Sequence, residues 1–399
     1  MRILLISDYG TPTGGAELMV LALRKGLRER GHDARLLASS ARPLDQASQA
    51  DYECFGLLSQ LRGLHQIWNP SAFLRLKRVL REFQPDVVHV RLFLSQISPA
   101  ILPLLRDLPA IYHVAWYRCI CPIGTKMLPD GASCQEPAGV ACLRHQCFPA
   151  YAWPSLMLQM KLWRQWRDSF DLIVANSHAT KRKLEMNGIQ PVEVVWNGVP
   201  LRPPRGPLAA RPTISFAGRL RWEKGPDILV DAFAQVVARI PGALLLIAGE
   251  GPERARLASQ IGRLRLDPNV SLLGHLSRAE MEDRFAGAWV HAIPSRWEEP
   301  FGITAAEGMM RGAAVVSSNT GGLAEFIHHE ETGILVSPQD PRPLADALLS
   351  LLESPERTAR LGRQGRDFAI QHLTEDVFIN RFESLYESLC PKRTVAFTI

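Results

Sequence analysis

No run of apolar residues in the 399-residue chain reaches the length of about 18 needed to cross a bilayer as a helix, which excludes a helical membrane span. The apolar stretch in MRILLISDYG stops at Asp8 and has no small-residue cleavage site. It reads as a first buried strand rather than a leader, and the expectation is a cytoplasmic protein. Neither half of the chain carries the dinucleotide-type glycine fingerprint after its first strand, which disfavours a nicotinamide oxidoreductase. No stripe of alternating basic and aromatic residues and no DNA-reading helix motif is present, so nucleic acid is set aside as a partner. Nor does any Asp-x-Asp pair occur, so an anionic ligand would have to be held without that carboxylate pair and its metal.

Hydrophobic content of 46% and charged content of 22% lie in the globular range. At this length one ordinary core does not suffice, and two domains are expected. The net charge of +6 is unevenly shared. Residues 1 to 198 hold 23 Lys plus Arg against 16 Asp plus Glu, whereas the remainder holds 23 against 24. The basic first half therefore favours an anionic partner, such as a membrane surface or a phosphorylated acceptor.

Short apolar runs alternate with helical patterns throughout. Strands are expected at Arg2 to Ile6, Asp33 to Ala38, Asp86 to Val90, Ala110 to His113, Leu172 to Ala175 and Val192 to Val195. This rhythm implies a parallel α/β sheet covered on both faces, with ligands beyond the carboxyl ends of its strands. Gly14 and Gly15 precede the first helix, where N–H groups are free, and His113 ends the run AIYHV. Residues 1–195 form the first domain. The aperiodic WNGVPLRPPRGPLAARP, 196–212, is the linker.

Two segments interrupt the pattern. Residues 119 to 150 contain Cys119, Cys121, Cys134, Cys142 and Cys147, five of the seven cysteines, among many Pro and Gly. Cys121, Cys134, Cys142 and Cys147 are candidates for a structural zinc, although their spacing lacks the paired short knuckles of zinc modules. Redox-sensitive or disulfide pairing and plain packing are the alternatives. In residues 153 to 170, Leu156, Met160 and Trp163 recur at helical spacing with Lys161, Arg164 and Arg167 among them. Either an interfacial helix on anionic lipid or a core helix with a solvated basic edge fits that pattern.

The second domain, 213–374, opens with the strand TISFAG, and Arg219 and Lys224 follow in GRLRWEKG. Two cations at the end of a strand suit a diphosphate, one planar and bidentate, the other a point charge. ALLLIAGEGPE and NVSLLGHL repeat the strand-then-glycine design. The stretch SRWEEPFGITAAEGMMRGAAVVSSNTGGLAE, 295 to 325, reads as strand end, turn, helix and strand. A helix starting near Gly302 points free N–H groups at the loop carrying Glu299, and that end suits phosphate. Glu307 lies about one and a half turns along, within reach of a ligand at the helix start.

Taken together, GGAE (14 to 17), the strand ending in His113, WNGV, GRLRWEKG, AGEGPE and PSRWEEPFGITAAEGMMRGAAVVSSNTGGLAE resemble the retaining glycosyltransferases of family 4. The resemblance implies the GT-B fold: two Rossmann-like domains with parallel sheets facing across a cleft, the first for acceptor and the second for a nucleotide-diphosphate sugar donor. It also implies that residues 375–399 return to the first domain, and that no metal or other cofactor is required for catalysis.

By position, Arg219 and Lys224 would hold the diphosphate, and Glu299 the hydroxyls of the transferred sugar. The N–H groups of Phe301, Gly302 and Ile303 would bind sugar or phosphate, and Glu307 the ribose. Gly15 would approach the phosphate on closure, and His113 would touch the sugar near the reaction centre. Many members have Asp after that histidine, where this chain has Val114. The acceptor is expected to be a glycan or lipid-linked intermediate, in glycan, lipopolysaccharide or exopolysaccharide synthesis, with the protein at the inner face of the membrane. A nucleotide-sugar epimerase of the same fold and a non-catalytic sugar-nucleotide-binding subunit are the competing readings.

Overall fold

Strands β1 (Arg2–Tyr9), β2 (Asp33–Ser39), β3 (Tyr52–Cys54), β4 (Val87–Val90), β5 (Ala110–Val114), β6 (Leu172–Ala175) and β7 (Val192–Val194) form one sheet, in the order β3-β2-β1-β4-β5-β6-β7. Every neighbouring pair is parallel, with Ile3 beside Ala34 on one side and Val87 on the other. The computed structural model describes residues 1–43, 46–58, 62–203 and 205–390. Pro204 of the expected linker and residues 391–399 of the expected returning segment lie outside the described residues.

A parallel sheet with helices on both faces buries both sides of its strands, and the sequence obliges with unbroken apolar runs. Ile3, Leu4, Leu5 and Ile6 are all essentially inaccessible. The helix Gly15–Glu29 turns Met19, Val20, Leu23 and Leu27 inward, one apolar stripe at helical spacing. The helix Pro70–Phe83 starts where the Asn69 side chain accepts from the Ala72 N–H, with proline in its first turn.

A second sheet holds β8 (Thr213–Ala217), β9 (Leu244–Ala248), β10 (Val270–Gly274), β11 (Val290–Ile293), β12 (Ala314–Ser318) and β13 (Ile334–Val336). Its order is β10-β9-β8-β11-β12-β13, again all parallel. In both sheets the order reverses beside the first strand, the point at which α/β sheets bind ligands.

The chain divides into two compact units, Val199–Thr374 and the remainder. Residues Glu375 to Cys390 join the first unit, where the helix Glu375–Leu389 packs on Gly15–Glu29. Phe378, Ile379, Phe382 and Tyr386 form its buried face. Arg30 pairs with Glu383 and with Asp376, the latter at 3.1 Å, while His32 Nε2 stands 2.8 Å from Glu383 Oε1.

The helix Trp153–Trp166 packs one face, Gln159, Met160 and Trp163, into the core. Trp163 is wholly buried among Phe93, Tyr112 and Phe170, whereas Lys161 and Arg164 face solvent. The Trp163 ring is therefore unavailable to a lipid headgroup region, whereas Trp153 and Trp166 at the helix ends are half-buried. Among the described residues no helix is long and apolar enough to cross a membrane.

Candidate active site

The loops at the carboxyl ends of β8 and β11 and the turn after β12 are joined by a set of polar contacts. After β8 the chain passes Arg219 and makes a short 3-10 turn, Trp222–Lys224, before the helix Pro226–Arg239. Gly225 joins turn to helix with φ +66°, and a Cβ there would stand 2.0 Å from the Pro294 carbonyl oxygen. A side chain at 225 would therefore push apart the two loops that carry Lys224 and Glu299.

The approach brings Lys224 Nζ to 2.6 Å from Glu299 Oε1. Ser295 Oγ donates to the same oxygen, also at 2.6 Å, and the ammonium lies 5.1 Å from the centre of the Trp297 ring. Glu299 is 5% exposed. Burial alone would raise its pKa, but Lys224, Ser295 and Trp297 together hold the carboxyl below its ordinary value, so it is ionised at neutral pH.

Behind this pair lies a clamp that sequence reasoning missed. Arg296 makes two bonds to Asp227, at 2.6 and 2.7 Å, donates to the Trp222 carbonyl at 2.8 Å and stacks 4.8 Å from the centre of the Trp222 ring. The Arg296 and Trp297 N–H groups both donate to the Glu223 carbonyl. A planar bidentate pair fixes orientation as well as distance, so the two loops are held as one piece. No local pattern in the sequence joins Asp227 to Arg296, 69 positions later.

Downstream, Gly302 caps the helix Ile303–Arg311 with φ +105°. The first N–H groups of that helix have no intrahelical acceptor and carry its positive end. Phe301 is not itself a surface contact: the residue is 2% exposed and its ring packs against Phe326, 4.9 Å between centres and tilted by 32°. What it offers is backbone. The Gly322 N–H donates to the Glu299 carbonyl at 2.8 Å, tying in the glycine turn after β12. Glu307 is 8% exposed, with Arg278 Nη2 at 3.7 Å from its Oε1. Arg219 is exposed on its loop, and among the described residues it has no ion-pair partner. The structure thus joins Lys224 to Glu299 and leaves Arg219 free to meet a ligand.

In the first unit Gly15 opens the helix Gly15–Glu29, where residues Gly14 and Gly15 are partly exposed. His113 is completely buried in β5, between Phe382, Phe378 and His89. Its Nε2 is bonded to the Arg91 guanidinium, which also donates to Asn197 Oδ1 at 3.0 Å. Burial, then Arg91 and His89, drive the His113 pKa well below its ordinary value, so the ring is neutral. Burial likewise pulls Arg91 to about 9 and His89 to about 3.

Two family models match end to end. The one described as Glycosyltransferase Family 4 covers residues 13–202, and the one described as Glycosyl transferases group 1 covers residues 202–368. The chain belongs to this glycosyltransferase family. Among similar proteins, a glycogen synthase of Mycobacterium tuberculosis is 28% identical over 94% of this chain and 91% of its own length. The sucrose-phosphate synthase of Thermosynechococcus elongatus matches over 97% of this glycosyltransferase and 98% of the solved chain, with 22% identity and a TM-score of 0.75. The Anabaena protein HepE, solved with UDP-glucose, matches over 97% of this chain and all of its own at 22% identity and a TM-score of 0.71. The solved structures identify the fold of both units as GT-B, two Rossmann-like parallel-sheet domains, and the family models identify the chain as a glycosyltransferase.

Proposed function

We propose that this glycosyltransferase is a retaining, metal-independent enzyme that moves a sugar from a nucleoside-diphosphate sugar to an acceptor hydroxyl. The second unit holds the donor and the first unit the acceptor. The observation that carries the reading is the pairing of half-buried Lys224 with buried Glu299 beside the N-terminus of the helix Ile303–Arg311. Lys224, Arg219 and that helix end supply fixed positive charge where a leaving diphosphate becomes more negative, the arrangement that lowers a barrier of this kind. With side-chain cations in that place and no Asp-x-Asp pair in the sequence, the diphosphate has protein partners that need no metal bridge.

Glu299 holds the hydroxyls of the transferred sugar, Phe301, Gly302 and Ile303 offer N–H groups to sugar or phosphate, and Glu307 accepts from the ribose. Gly15 of the first unit contributes a side-chain-free approach to the donor. The acceptor oxygen attacks the anomeric carbon from the face the diphosphate leaves, and the departing phosphate oxygen takes the hydroxyl proton. No protein nucleophile is required. His113, wholly buried with Nε2 occupied by Arg91, acts in this scheme by supporting the end of β5 rather than by touching the sugar. The relative solved with UDP-glucose supports a donor of that chemical class.

The acceptor is a glycan intermediate. The basic balance of residues 1 to 198 favours one with negative charge, such as a lipid-linked intermediate presented at the inner face of a membrane in lipopolysaccharide or exopolysaccharide synthesis. The test is a melting-temperature screen over uridine-, guanosine- and adenosine-diphosphate sugars, followed by proton NMR of the transferred product. One donor is expected to raise the melting temperature, because a ligand that binds only the folded state stabilises it. The product should keep the donor's anomeric configuration; an inverted product would overturn the retaining assignment.

A further inference from the structure

Residues 120 to 150 follow the carboxyl end of β5 and carry very little regular structure. Within them are one helical turn, Ala141–Arg144, and a narrow hairpin closed by the Met127–Ser133 bridge. Its first part is packed into the core through Ile120, Cys121 and Met127, whereas the stretch from Pro129 to Pro149 is mostly exposed or half-buried. It is nonetheless bonded to its surroundings at fixed points. Trp153 Nε1 donates to the Gly139 carbonyl at 3.0 Å and Lys183 Nζ to Ser133 Oγ at 3.1 Å, while just before the segment Trp163 Nε1 donates to the Cys119 carbonyl at 2.9 Å.

Four cysteines drawn from three separate stretches line one pocket at the centre of this segment: Cys121, Cys134, Cys142 and Cys147. Backbone bonds hold each stretch in place. The Cys121 N–H donates to Tyr117, Cys134 to Lys126 and Cys147 to Cys142, at 2.8, 2.9 and 3.1 Å. All four are free thiols. Lys126, 4% exposed, lines the same pocket and donates to the Glu136 carbonyl at 2.5 Å.

We propose that Cys121, Cys134, Cys142 and Cys147 form a four-thiolate structural zinc site that fixes residues 120 to 150 against the carboxyl end of the first sheet. Zinc takes four sulfurs in a tetrahedron and needs no regular knuckle when the backbone already gathers them. Four thiolates on one dication leave net negative charge, and the buried Lys126 ammonium beside them offsets it. Thiolate donors select a soft or borderline metal over magnesium or calcium.

Among the described residues no three His, Cys, Asp or Glu side chains already converge on a metal-holding point. Neutral thiols have no cause to converge. Rotation about χ1 moves each sulfur between staggered wells, and binding releases a proton from each thiol as the metal draws the four together. The site is independent of how the donor is bound.

The test uses the full-length protein purified without chelator. Elemental analysis should give one zinc per chain, and non-reducing mass spectrometry after alkylation should show no disulfide. Cys142→Ser and Cys147→Ser should lose the zinc. Should these variants fail to fold, cobalt substitution of the unaltered protein reads the same site: a tetrahedral four-thiolate spectrum is expected. Folded protein without zinc, zinc retained by the serine variants, a cobalt spectrum of oxygen ligands, an iron–sulfur absorption, or disulfides among these four residues would each overturn the proposal.

Discussion

Lys224 and Glu299, 75 positions apart in the chain, meet at 2.6 Å in a site where the carboxylate is almost wholly screened from water. Removing one partner strands the other, and a buried charge without its counter-ion is costlier than no charge at all. Lys224→Met is therefore expected to lower unfolding stability by about 2 kcal/mol, a value discounted from the usual cost because the lysine is partly exposed. Lys224→Met combined with Glu299→Gln should recover part of that loss. Urea unfolding of the three variants gives the coupling; strictly additive losses would contradict the pairing.

The same pair predicts an acid dependence. The folded-state pKa of Glu299 is depressed, so its contribution to stability is present above the ordinary carboxylate pKa and is lost as pH falls through the folded value. Three buried histidines act at higher pH. Burial lowers His89 and His291 to about 3 and His113 well below its ordinary value. Between about pH 6.5 and pH 3 the unfolded chain binds these protons and the folded chain does not. Stability should fall with pH across that window, by up to about 1.4 kcal/mol per unit for each ring. Urea midpoints that are equal near neutral pH and near pH 5 would refute this.

Gly225→Ala should act on the site through the backbone. The new methyl meets the Pro294 carbonyl at 2.0 Å and forces an alanine into a left-handed conformation. A stability loss of at least about 1–2 kcal/mol is expected, with weaker donor binding as the Lys224 loop withdraws. An unchanged melting temperature and an unchanged donor Kd would show that the loops do not need that approach.

Asp227→Asn should loosen the Arg296 clamp without removing any group proposed to touch the donor. The expected signature is a several-fold rise in donor KM with kcat changed much less, since the loss is of positioning in the ground state and transition state alike. A fall in kcat at constant KM would assign Asp227 a different role.

Much of this architecture was legible because parallel strands buried on both faces leave unbroken apolar runs. Leu172–Ala175 falls where the sequence puts it, and the other long strands differ from expectation only at their ends. β3 and the helix Arg62–Ile67 were missed: three residues at a sheet edge and six in a helix are too short to show a period. In the site, Lys224 and Glu299 stand out because each lies in a loop after a strand, shortly before the glycine that starts the next helix. Asp227 and Arg296 do not, since a bidentate pair between residues 69 apart leaves no local trace. His113 shows the converse. Its place at the end of a strand is readable, but its burial under Phe378 and Phe382 depends on a helix more than 260 residues later.

The most direct test is sugar transfer by Glu299→Gln and Lys224→Ala, each first confirmed as folded. Loss of a fixed charge that acts on the transition state is expected to lower kcat/KM by about 100-fold or more, while the nucleoside diphosphate still binds Glu299→Gln. If both variants transferred sugar at near wild-type rates, the Lys224–Glu299 pair would not be the centre of the donor site.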